Sequence, residues 1–153
     1  MTLRLEELST ENLRGLRDLR LAPGQERYVA PVLESIAEAY VTPTAWPRAI
    51  LDDATVVGFV MANWDPQNEL EAFRAGIWRL NVDAQAQGRG VGRFAVAEVS
   101  AEARRRGVDR ITVLWESGDD GPEGFYLRCG FVPTGEQLFG ETVGVLELTD
   151  PEG

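Results

Sequence analysis

The sequence predicts a mixed α/β fold: one central, mostly antiparallel twisted sheet of about six to seven strands, flanked by about four helices. Three observations predict it. Helical apolar periodicity is confined to two N-terminal stretches and to stretches beginning near Val91 and Pro122. Between and after them lie runs rich in β-branched and aromatic residues. The order is strand, helices, several strands, helix, strand, short helix, two strands, which is the pattern of a sheet with helices packed on it.

Leu3 to Glu6 alternates apolar and polar, as a strand does. Ser9 or Thr10 then caps a helix expected from about Glu11 to Arg20, with Leu13, Leu16 and Leu19 on one side and Pro23-Gly24 ending it. A second helix fits Val29 to Tyr40, where Val32, Leu33, Ile36 and Ala37 form an apolar stripe, and Pro43 and Pro47 mark the loop beyond. Strands follow at Arg48 to Leu51, Thr55 to Trp64 and Ala72 to Val82, separated by turns at Asp52-Asp53 and Asp65 to Asn68, so this part reads as an antiparallel meander. Val91, Ala95 and Val99 recur at four-residue spacing in a helix that ends at Gly107. Arg104, Arg105 and Arg106 sit in its last turn, where cations complement the helix dipole. Arg110 to Trp115 is a strand of buried type. A short helix from Pro122 to Arg128, with Pro in its first turn, precedes strands near Phe131 to Pro133 and Thr142 to Leu148.

A chain of 153 residues, 44% of them hydrophobic, suffices for one packed core. No repeat or linker-like tract divides it, so residues 1–150 are read as one domain and 151–153 as a tail. The opening residues lack a signal-peptide profile, and no apolar run nears the roughly 18 residues a membrane helix needs, so a cytoplasmic location is expected. One Cys and no His exclude an internal disulfide, a thiolate zinc cluster and the Ser/His and Cys/His nucleophile pairs. No metal is expected. A formal net charge of -10 disfavours nucleic acid and anionic membranes as partners and favours a cation.

The chemistry is concentrated in two motifs. The first is Gln87-Gly88-Arg89-Gly90-Val91-Gly92, which follows a strand and opens a helix, where backbone amides lie unpaired and the helix dipole attracts an anion. Glycines at 88, 90 and 92 remove side chains that would hold a phosphate away. A dinucleotide turn does not fit, because counting from Gly88 puts Arg93 where its last Gly should stand. The Walker pattern lacks its Gly-Lys-Ser/Thr. What fits is Gln-x-x-Gly-x-Gly, at Gln87, Gly90 and Gly92, after a strand ending Leu80-Asn81-Val82-Asp83. The second motif, some 35 residues on, is Phe125-Tyr126-Leu127-Arg128-Cys129-Gly130-Phe131.

Together the two motifs resemble the GNAT superfamily of N-acetyltransferases. The resemblance implies acetyl-CoA as cosubstrate, its pyrophosphate held by the amides of Arg89 to Arg93, and its pantetheine arm paired with the backbone of Leu80, Asn81 and Val82. It implies that Tyr126 protonates the departing thiolate. A phenol with a pKa near 10 stays protonated at pH 7 and suits that task. It also implies direct attack without an acetyl-enzyme, an oxyanion donor from a backbone amide near Leu80 or Asn81 at a bulge in the strand, and a homodimer. One departure stands out: Glu116-Ser117-Gly118 occupies the place where many members carry an Asn.

Segments such as Gln25 to Ala30, Trp46 to Ile50, Trp78-Arg79-Leu80 and Gly121 to Tyr126 look like the diamine and polyamine acetyltransferase branch, which implies a small cationic amine as acceptor. Other amines, in an antibiotic, an amino acid or a protein, remain open, as does a non-catalytic coenzyme A sensor. An alkyl ammonium must lose a proton before it can attack, and without His the acceptors are carboxylates: Glu26, Glu34, Glu38, Asp65, Glu71 or Glu141, of which Glu38 is favoured. Tyr28, Tyr40, Trp46, Trp64 and Trp78 are candidates for an aromatic slot holding the ammonium chain, with Glu34 and Glu141 beside it.

Overall fold

The computed structural model describes residues 1–148, so the tail expected at 151–153 lies outside the described residues. Among the described residues seven strands form one sheet in the order β1-β2-β3-β4-β5-β7-β6. They are β1 (Leu3–Glu6), β2 (Ala45–Asp52), β3 (Thr55–Trp64), β4 (Ala75–Val82), β5 (Arg110–Trp115), β6 (Val132–Leu138) and β7 (Glu141–Glu147). Every neighbouring pair is antiparallel except β4 with β5. Four helices, α1 (Thr10–Arg17), α2 (Val32–Val41), α3 (Val91–Arg105) and α4 (Glu123–Arg128), cover the sheet, and the mixed α/β architecture matches the expectation.

The boundaries that moved have local causes. Ser9 caps α1 through Asn12, whose side chain returns a bond to the Ser9 N–H. The helix stops at Arg17 rather than Arg20 because Arg20 is claimed by the end of β4: its N–H donates to Asp83 (3.1 Å) and its carbonyl accepts from Ala84 N–H (2.6 Å). α2 starts at Val32 because Pro31 takes the N-cap position. β2 begins three residues earlier than expected and runs through Pro47. Proline is tolerated there because β1 pairs only with residues 49–52, which leaves Pro47 on an edge. The stretch expected as one strand from Ala72 starts instead with a 3₁₀ turn, Glu71–Phe73, and the buried Thr112 hydroxyl bonds the carbonyls of Ala72 and Ala75 on either side of the break.

Each face of the sheet has its own core. On one face α3, α4 and the turn after α4 pack Val91, Ala95, Val99, Tyr126 and Phe131 against Val60, Ile77 and Ile111. On the other, α1 and α2 bring Leu16 and Val32 onto Phe59 and Met61. Burying each large apolar side chain contributes about 1.5–3 kcal/mol, and these two layers hold the central strands rigid.

Candidate active site

The parallel pairing in the sheet is short. β4 and β5 pair only at Gly76 with Thr112 and Ile77 with Val113, and beyond that point the strands diverge. A β-bulge sharpens the divergence: on β3, Met61 faces Arg79 and Ala62 faces Ile77, so Trp78 has no partner there. The wedge between the strands is a cavity of about 670 Å3, with Trp78, Leu80 and Val82 on one wall and Val113, Leu114 and Trp115 on the other.

The first turn of α3 forms one end of this cleft. Its first hydrogen bond runs from Phe94 N–H to Gly90 C=O (2.9 Å), so the N–H groups of Val91, Gly92 and Arg93 precede the ladder and point outward unpaired. The three glycines have different reasons to be there. Gly88 and Gly90 have φ of +76° and +84°, which ordinary side chains resist, and the space beside both is open. Gly92 is instead a packing residue: a Cβ there would lie 2.8 Å from the ring of Phe125 on α4. Gln87 is a brace, its side-chain amide donating to Val82 C=O (2.9 Å) and to Gln25 (3.2 Å). Arg93 lines the cleft and reaches the Arg128 carbonyl at 3.5 Å, while Arg89 is exposed. The side chain of Asn81 does not reach the cavity. Alternation along β4 turns it to the opposite face, where it is buried and donates to Ala30 C=O (3.2 Å).

Tyr126 lines the same cleft, beside its β5 wall. Its ring stacks on Trp115 (5.8 Å between centroids) and meets Phe125 and Phe131 edge-on. Burial pushes its phenol far above the ordinary tyrosine range, and nearby Cys129 adds to the shift. Burial also raises the Cys129 thiol, which therefore lacks the thiolate character of a nucleophile.

On the face of β4 opposite α3, charged groups gather around Arg79. Its guanidinium bonds Glu38 at 3.0 Å, so Glu38 is committed to an ion pair. Arg27 pairs with Glu116 at 3.1 Å. Trp115 pairs with Thr142, which places Glu116 and Glu141 side by side one step beyond the paired ends of β5 and β7. Glu141 makes no salt bridge or side-chain hydrogen bond among the described residues. Desolvation, with Glu116 adding and Arg79 opposing, raises its carboxyl above the usual range. Ser117, next to the expected Asn position, bonds Thr142 at 2.9 Å.

The expected aromatic slot does not assemble. Tyr40 is 91% exposed on the outer side of α2. Trp46 meets Trp64 edge-on, and both faces are already taken by cations of the protein, Arg48 over Trp46 (4.0 Å) and Arg106 over Trp64 (4.9 Å). Arg106 follows α3 directly, so this pair sits at the far end of that helix from the cleft. Of the slot residues only Tyr28 and Trp78 line the cavity, and Glu34 is exposed on α2. The sequence reading missed Arg79 and Trp115 as site residues. Strand alternation was the available signal for Arg79, which must face away from Leu80.

Comparison with known proteins identifies the family. A model of the acetyltransferase (GNAT) family matches residues 13–131. The chain belongs to that family. No curated protein matches it in sequence. Among solved structures the GNAT chain is similar to an acetyltransferase from Thermus thermophilus, with TM-score 0.76, 20% identity, and 97% of this chain and 98% of that one covered. It is similar to the PaiA N-acetyltransferase of Thermoplasma acidophilum in complex with coenzyme A, with TM-score 0.71, 16% identity, and 96% and 99% covered. The ribosomal-protein-S18-alanine N-acetyltransferase of Escherichia coli follows at TM-score 0.67, 15% identity, and 97% and 96% covered. At these identities the likeness establishes a shared GNAT fold. Among the described residues no helix is long and apolar enough to cross a membrane.

Proposed function

We propose that the chain transfers an acetyl group from acetyl-CoA directly to a small primary amine, with a diamine or polyamine as the preferred acceptor. One observation carries this reading: a single cleft is lined by the first turn of α3 with its unpaired amides, by the edge of β4 that diverges from β5, and by Tyr126. The amides of Val91, Gly92 and Arg93 suit a diphosphate. The divergent edges of β4 and β5 leave backbone groups for an amide-bearing arm. The coenzyme A bound in the Thermoplasma relative supports the same ligand here.

The acceptor nitrogen attacks the thioester carbonyl carbon, the N–C bond forms and the C–S bond breaks. The bulge at Trp78 supplies strand backbone for the oxyanion. Tyr126 donates its O–H to the sulfur as it leaves. Because burial holds that phenol above a thiol's ordinary pKa of about 8.5, complete transfer is uphill unless the same apolar walls also raise the thiolate's proton affinity. The hydrogen bond to the developing charge is therefore the main contribution. The proton lost by nitrogen goes to Glu141. Arg79 and Arg27 pair with Glu38 and Glu116, which leaves Glu141 as the member of this carboxylate cluster without a salt bridge and the better base than Glu38.

Purified protein mixed with acetyl-CoA and a panel of amines tests the proposal through free thiol release. Diamines should give the highest kcat/KM. Tight acetyl-CoA binding without release for any amine would replace the enzyme with a sensor. Sedimentation checks the homodimer that the family resemblance implies.

A further inference from the structure

The connection between α1 and α2, residues 18–31, is long beside the roughly 2–8 residues usual between packed helices, and it lies across the cleft. Gln25 and Tyr28 line the cavity. At the β4 wall the connection is held by Arg20 N–H to Asp83 (3.1 Å), Gln87 to Gln25 (3.2 Å) and Asn81 to Ala30 C=O (3.2 Å). At the β5 wall it meets the protein through the 3.1 Å Arg27–Glu116 pair and through Tyr28, whose ring packs so closely on Gly121 that a Cβ there would come within 2.9 Å. None of residues 18–31 is buried, and at the β5 wall the Arg27–Glu116 pair is exposed on both sides, so that end opens at low free-energy cost.

We propose that residues 18–31 form a strap over the cleft, latched by Arg27 on Glu116 and by Tyr28 on Gly121, and that Glu116 is a positioning residue linking strap closure to the carboxylate of Glu141. The second half of this statement rests on the acetyl-transfer reading; the first does not. The groups facing Glu141 are Glu116 beside it and Arg79 from β4, each with its own partner, Arg27 and Glu38. With the latch closed, Arg27 offsets the charge of Glu116. With it open, Glu116 is bare and Glu141 is harder to ionise.

Three variants, Arg27→Gln, Glu116→Gln and the charge-neutral Gly121→Val, test the proposal, each first confirmed to melt as the parent does. Chymotrypsin cleavage after Tyr28 should accelerate in all three, by about two- to five-fold for the two latch variants, the factor an exposed ion pair is worth. The acid limb of kcat/KM should move to lower pH in Glu116→Gln and to higher pH in Arg27→Gln. Parental cleavage rates in Arg27→Gln and Glu116→Gln, or in Gly121→Val, overturn the strap. Limbs that stay put, or move together, overturn the link to Glu141. If Glu141→Gln keeps the parental limb, the base assignment fails, while the cleavage rates still judge the strap independently.

Discussion

The ring of Phe125 fills the space that a side chain at residue 92 would need, with a Cβ on Gly92 lying 2.8 Å from it. The start of α3 and the helix carrying Tyr126 are thereby locked together. Two glycines of one motif should consequently fail in different ways. Gly92→Val should push α4 away, lower stability by about 1–3 kcal/mol as overpacking does, and reduce turnover by displacing Tyr126. Gly90→Ala meets no neighbour but must hold a left-handed backbone at a cost of about 1–2 kcal/mol, and should mainly weaken acetyl-CoA binding. Urea titration and calorimetric coenzyme binding separate the two. Equal affinity losses with equal stabilities would contradict the division.

Tyr126→Phe keeps the stack on Trp115 and loses only the hydroxyl. Turnover should fall by about 10²–10⁴-fold, the range for a proton donor, while acetyl-CoA affinity changes little. Since burial raises this phenol, it does not titrate in the working range, and the shape of the pH–rate profile should survive the substitution. A profile that loses its alkaline limb in Tyr126→Phe would show that the hydroxyl titrates where rates are measured.

Glu141 offers a test in which stability and activity move in opposite directions. Its folded-state carboxyl is raised, first by desolvation and then by Glu116, so the folded protein binds that proton more tightly than the unfolded chain. The associated stability is present below the unfolded pKa and is lost as pH climbs through the folded one. Glu141→Gln removes the cost of ionisation. At pH 7 it should melt at or above the parental temperature, the difference should vanish near pH 4, and activity together with the acid limb should fall. Lower stability at pH 7 than at pH 4, relative to the parent, would reverse the sign and refute the assignment.

What the sequence made legible depended on range. Ser9 and its helix, the alternation in β1, and the strand-to-helix turn at Gln87 to Gly92 are written within a few residues of each other, and the structure reproduces them. The Arg79–Glu38 and Arg27–Glu116 pairs join residues 41 and 89 positions apart. No periodicity announces such partners, so a carboxylate that is free in the sequence proved to be engaged. Trp46 and Trp64 misled for a related reason. Aromatic composition says that a cation can be held, and it cannot say that Arg48 and Arg106 of the same chain already hold those faces.

Gly76 decides where the cleft begins. It pairs with Thr112 where β4 and β5 touch, and a Cβ on it would overlap the Thr112 backbone. A backbone cannot swing aside as a side-chain tip can, so Gly76→Ala must separate the strands and break the parallel pairing in the sheet. Stability should fall by at least the 1–3 kcal/mol or so of ordinary overpacking, and acetyl-CoA should bind more weakly as the wedge loses its vertex. Gly144→Ala on β7 gives the contrast, because its new Cβ meets the indole of Trp115 instead. That substitution should disturb the stack beneath Tyr126 and cut turnover while leaving coenzyme affinity nearer to the parent. Chemical denaturation, coenzyme titration and turnover on both variants check the pair. A Gly76→Ala protein with parental stability would mean that the two strands are not in contact at that position.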